Sequence, residues 1–116
     1  MKESRQIDII KALQWLEGDE KMFARIKAIF LKNVPAQVVE LKEFLDSADL
    51  SAAERGAHTI MGSSAMLGAT AMSEKARDIE RSSMEGDLNS ARNHYVEFIG
   101  EFQKVVDELT GDGGAS

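Results

Sequence analysis

The sequence predicts an all-α protein, an antiparallel up-down four-helix bundle with a short extra N-terminal helix packed across one end. Three observations predict it. Apolar residues recur at spacings of three and four over long stretches, and no alternating strand pattern of useful length occurs. Proline appears once and glycine is scarce in the chain's interior, so few positions can break a helix. The breaks that do occur are short, and short connections force successive helices to run antiparallel. With 116 residues the chain holds one domain. Residues 1–109 read as the bundle and 110–116, polar and Gly-rich, as a flexible tail or the start of a linker.

The first helix is expected from about Ile7 to Leu16, with Ile9 or Ile10, Leu13 and Leu16 on one face. Gly18-Asp19 ends it and caps the next. In the second, Phe23, Ile26, Phe30, Val34, Val38, Leu41 and Leu45 keep one phase straight through Pro35. That phase predicts a single helix over about Asp19 to Ser47, kinked at Pro35, with two helices meeting at the proline as the alternative. Ser51-Ala52-Ala53-Glu54 reads as a capping box, Ser51 being the N-cap. The helix it opens carries the buried stripe Ala53, Ala57, Ile60, Ser64 and Leu67 and turns at Leu67-Gly68-Ala69. A further helix covers about Thr70 to Glu85 and stops at Gly86. Asp87 caps the last, where Leu88, Ala91, Tyr95, Phe98, Phe102, Val105 and Leu109 form a bundle seam.

Composition excludes several function classes. Hydrophobic residues make up 43% and charged residues 29%, an ordinary soluble balance. The chain has no cysteine, which removes disulfides, thiolate metal sites and thiol nucleophiles. A net charge of −6 without a clustered basic surface argues against nucleic acid as a partner. No apolar run approaches the roughly 20 residues of a membrane span, and Lys-Glu-Ser-Arg is no signal peptide, so the expected location is cytoplasmic. A di-iron bundle needs Glu-x-x-His pairs, but Arg55 precedes His58 by three places and Ala91 precedes His94. A hydrolase elbow of the Gly-x-Ser-x-Gly type is missing as well. No Gly-rich phosphate loop is present, so autonomous kinase activity and an intrinsic cofactor are not expected.

The informative segment is His58-Thr59-Ile60-Met61-Gly62-Ser63 followed by Leu67-Gly68-Ala69. His58 lies about 100° round the helix from Ala57, at the edge of the buried stripe. A glycine inside a helix costs stability. Gly62, one turn after His58, therefore asks for a reason: open access to the imidazole, or close packing of two helices. Hairpin arithmetic about Gly68 puts residues near 79 level with His58, making Glu80 and Arg77 the nearest charged candidates. A carboxylate holding one ring nitrogen would fix the tautomer and leave the other nucleophilic. An ordinary exposed carboxylate paired with Arg77 is the plain alternative for Glu80. His94 lies off the last seam and reads as solvated, and Trp15 could close the bundle end or face a partner.

This segment resembles the signature of histidine-containing phosphotransfer (HPt) domains, His-x-x-Lys-Gly-Ser and then Leu-Gly-Ala. Ala76-Arg77-Asp78-Ile79-Glu80 is similar to the family's Ala-x-x-Leu-Glu, and Glu85-Gly86-Asp87-Leu88 to its Gly-Asp boundary. Leu13 to Asp19 and Phe30 to Pro35 fit its opening helices. The resemblance implies a monomeric phosphorelay intermediate with His58 as phosphoryl acceptor. Its partners would be response-regulator receiver domains, which would bring the magnesium, and a hybrid histidine kinase. In the similar domains of chemotaxis kinases a glutamate on the next helix orients the histidine, a role the resemblance carries to Glu80. The sequence departs from the pattern at Met61, where the family has lysine. Arg55 and Arg77 are the candidate replacements for that charge, and Met61 itself could pack against a docking receiver. A non-catalytic adaptor derived from such a domain, and the substrate domain of a chemotaxis-type kinase, are the alternatives.

Overall fold

In the computed structural model, which describes residues 20–111, the apolar phase through Pro35 belongs to one helix, α1 (Glu20–Asp46). Pro35 lacks an amide proton, so the helix gives up one backbone bond there. Burial of Phe30, Val34, Val38, Leu41 and Leu45 on either side of it holds the helix together. The expected helix at 7–16, its Gly18-Asp19 boundary, Trp15 and the tail beyond Gly111 lie outside the described residues.

Three more helices follow, α2 (Leu50–Leu67), α3 (Thr70–Met84) and α4 (Leu88–Thr110), joined by two- and three-residue corners. Neighbours in sequence pack as antiparallel neighbours in space, and α4 returns to close against α1. The cap of α2 differs from the sequence expectation. Asp49, not Ser51, is the N-cap, and its carboxylate accepts from the Ala52 amide at 3.1 Å. Ser51 instead sits inside the first turn, where its hydroxyl accepts from Arg55 at 2.8 Å. An aspartate bonding the amide three places on performs the same capping chemistry two residues earlier. The α2–α3 corner turns on Gly68, whose φ of +84° is a left-handed value that glycine adopts without steric cost. At the next corner the Asp87 carboxylate accepts from the Ser90 amide at 3.0 Å and its hydroxyl at 2.8 Å, as the sequence anticipates.

The predicted stripe of α2 is buried at all five positions, Ala53, Ala57, Ile60, Ser64 and Leu67. Ser64 is tolerated there because its hydroxyl donates to the Ile60 carbonyl at 2.7 Å. Small residues on this stripe let α2 lie close to its neighbours, while Phe98 from α4 and Leu41 and Leu45 from α1 supply the bulk. Two polar side chains of α4 reach main-chain carbonyls on α1. The Arg92 guanidinium donates twice to Leu45 O, at 2.9 and 3.2 Å, and the Tyr95 hydroxyl donates to Val38 O at 3.2 Å. Burial, with Asp46 nearby, raises the Tyr95 phenol above its ordinary pKa. Among the described residues no helix is long and apolar enough to cross a membrane.

Candidate functional site

α2 and α3 place the candidate residues. The buried stripe of α2 faces inward, which leaves His58 on the solvent side with its side chain 65% exposed. On α3, Met72, Ala76, Ile79 and Ser83 face the core, and Glu80 falls at the border next to α2. The hairpin brings the two together: His58 Nδ1 lies 2.9 Å from Glu80 Oε2. An ionised carboxylate can only accept, so the bond requires the proton on Nδ1. In the neutral ring Nε2 then carries the lone pair, on an exposed imidazole whose rotation is restrained by Glu80, itself only 18% exposed. This is the contact the hairpin arithmetic anticipates, and Arg77 is not the partner of Glu80.

Gly62 lies one turn beyond His58 on the same side of α2. A Cβ built there meets nothing within 4 Å, so close helix packing does not explain the residue. Gly56, by contrast, faces the Phe44 ring, where a Cβ would make ordinary contact at 3.7 Å. Continuing along α2, Met66 is exposed. With Ile26, Ile29, Phe30 and Val34 of α1 it lines an apolar groove.

Toward α3 the surroundings are different. Met61 is half-buried against the edge of the core, and its carbonyl accepts from Ser73 Oγ at 3.1 Å. Met61, Arg77, Glu80, Arg81 and Met84 line one shallow depression. The sequence reading missed Arg81 and Met84, although Arg81 follows Arg77 by one helical turn and shares its face. Arg55, one turn before His58 on α2, is tied to Ser51 and does not line this depression.

The second histidine is a useful contrast. His94 is half-buried rather than solvated, with Nδ1 3.6 Å from Glu97 and 3.9 Å from Asp78 and no hydrogen bond. Glu97 bonds Lys75 at 2.9 Å instead, which lowers the carboxyl pKa and raises that of the ammonium. Nothing holds the His94 ring in one tautomer as Glu80 holds His58. Among the described residues no group of histidines and carboxylates could hold a metal ion.

The family model described as Hpt domain matches residues 25–111. That span takes in all four helices, with only the first turn of α1 outside it. The chain belongs to the Hpt domain family, whose members carry out histidine phosphotransfer in two-component signalling. Hpt domains interact with response-regulator receiver domains and histidine kinases. Comparison with curated proteins finds no match. Comparison with solved structures finds none either.

Proposed function

We propose that the protein is a phosphorelay intermediate. Its His58 Nε2 accepts a phosphoryl group from the phospho-aspartate of one receiver domain and passes it to another. The observation that carries this reading is the 2.9 Å bond between His58 Nδ1 and Glu80 on an otherwise exposed imidazole. In the forward step the Nε2 lone pair attacks phosphorus, a nitrogen–phosphorus bond forms, and the phosphorus–oxygen bond to the aspartate breaks. The electron pair leaves with the aspartate carboxylate. No proton has to leave the ring: Nδ1 keeps its own, and the positive charge that develops faces the Glu80 carboxylate. The reverse step uses the same arrangement toward a second aspartate.

Gly62 keeps the line of approach to Nε2 clear. Such transfer depends on in-line positioning and on neutralising phosphoryl oxygens, and the magnesium belongs to the receiver. The protein works as a cytoplasmic monomer in this scheme and needs no cofactor of its own.

The test is incubation with a phosphorylated receiver from the same organism. The expected product is a phosphoryl group that is acid-labile and base-stable, as a phosphoramidate is, and that is absent from His58→Gln. Equal labelling of His58→Gln, or no labelling by any receiver of that organism, refutes the proposal.

A further inference from the structure

We infer that Arg77 and Arg81 form the phosphoryl-binding side of this site, taking the place of a cation that α2 does not supply. The inference rests on the phosphotransfer reading above and assigns the source of positive charge within it.

A phosphoryl group on His58 Nε2 brings about two negative charges to an exposed helix face. Its neighbours on α2 are poorly suited to meet them: Met61 is apolar, Gly62 has no side chain, Glu54, one turn earlier, is itself acidic, and Arg55 is held by Ser51. Two observed contacts fix where α3 stands against this face. Glu80 reaches His58, and Ser73, two turns earlier on α3, reaches the Met61 carbonyl. Arg77 is one turn from each, so it stands opposite the stretch from His58 to Met61. Arg81 is one turn further along the same face, and both side chains line the depression together with Met61 and Met84.

Both guanidinium groups are free. Among the described residues neither makes a hydrogen bond or ion pair, although Glu80 and Glu85 line the same depression. Glu80 is occupied by His58. Arg55 differs on each count: it is bonded to Ser51, and it lies on α2 away from the depression. A guanidinium matches phosphate oxygens with parallel donors, and its methylenes can rest on a thioether. Met61 is thus an apolar neighbour of the arginines and need not carry the charge itself.

The experiment uses two donors, a phosphorylated receiver and the small molecule phosphoramidate, on the whole chain. Labelling rates are compared for Arg77→Gln, Arg81→Gln, the double variant and Arg55→Gln, each with and without Met61→Lys. The double variant is expected to slow labelling by both donors about ten- to a hundredfold, the rate equivalent of one lost charge-assisted hydrogen bond. Met61→Lys should restore much of that rate, because an ammonium one turn from His58 supplies the missing charge. Helix content should be unchanged throughout, since both arginines are exposed.

Unaltered rates in the double variant, with the wild type labelled, overturn the inference and leave the relay intact. So does a loss with the receiver donor alone, which would make the arginines docking contacts. A larger loss in Arg55→Gln than in Arg77→Gln overturns it too. Absence of label on wild-type His58 with both donors removes the relay and this inference together.

Discussion

At the scale of single residues, the site separates stability from activity at one position. Gly62 sits mid-helix and faces open space, so helix propensity alone predicts that Gly62→Ala stabilises the fold by about 0.5–1 kcal/mol. Gly100, also helical and open, should gain a similar amount and serves as the control in urea unfolding. Only the change at 62 should touch transfer, and Gly62→Gln should block it while helix content stays intact. Normal transfer by Gly62→Gln would remove steric access as the reason for the glycine. Glu80 divides in the same manner. Glu80→Gln keeps an oxygen to accept from Nδ1 but loses the charge, so labelling should slow less than in Glu80→Ala, which also frees the ring. Equal rates in the two would mean orientation adds nothing. The His58–Glu80 contact was legible because a hairpin with a marked corner fixes which residues lie level. The depression beside it was not legible, since it forms only where residues of α2 and α3 meet, and Arg81 and Met84 carry no signal of their own in the sequence.

At the scale of elements, the helix ends carry the informative differences. The boundary of α2 read two residues late, because Ser51 and Glu54 form a plausible box while the residue that bonds the Ala52 amide is Asp49. The structure makes the choice testable. Asp49→Ala should cost about 1 kcal/mol in chemical unfolding, and Ser51→Ala much less. The same corner holds Ala48 at φ +59°, a left-handed value that strains a residue with a Cβ. Ala48→Gly is therefore expected to add about 1 kcal/mol, measurable in the same titration. At the other capped corner, bonds from the Ser90 amide and hydroxyl hold the Asp87 carboxyl below its ordinary pKa. A group that binds its proton less readily when folded stabilises the fold above the ordinary carboxylate range, and the contribution fades as pH falls through the lower folded value. The melting temperatures of wild type and Asp87→Asn should therefore differ most near neutrality and converge as the pH falls through the lowered folded value.

For the whole molecule, the seams of α1, α2 and α4 were readable from spacing alone, and Pro35 did not divide the first of them, because five buried side chains outweigh one missing backbone bond. What spacing could not supply was how α4 is set against α1. Phe98, fully buried where the helices converge, is the strongest probe of that packing. Phe98→Ala should cost about 3–5 kcal/mol, enough to approach the whole stability of a domain this size.

Arg92 and Tyr95 bring a different consequence. Both donate to main-chain oxygens of α1, and a main-chain oxygen is present whatever side chain the position bears. The polar part of the last helix's alignment is thus encoded on one partner only, and the apolar part on the buried face of α1. The outer surface of α1, where Ile29 and Val39 already stand exposed, is free to change its chemistry without loosening the closure of the bundle. A signalling domain built this way could acquire new recognition on that helix while the frame that holds His58 stays in place.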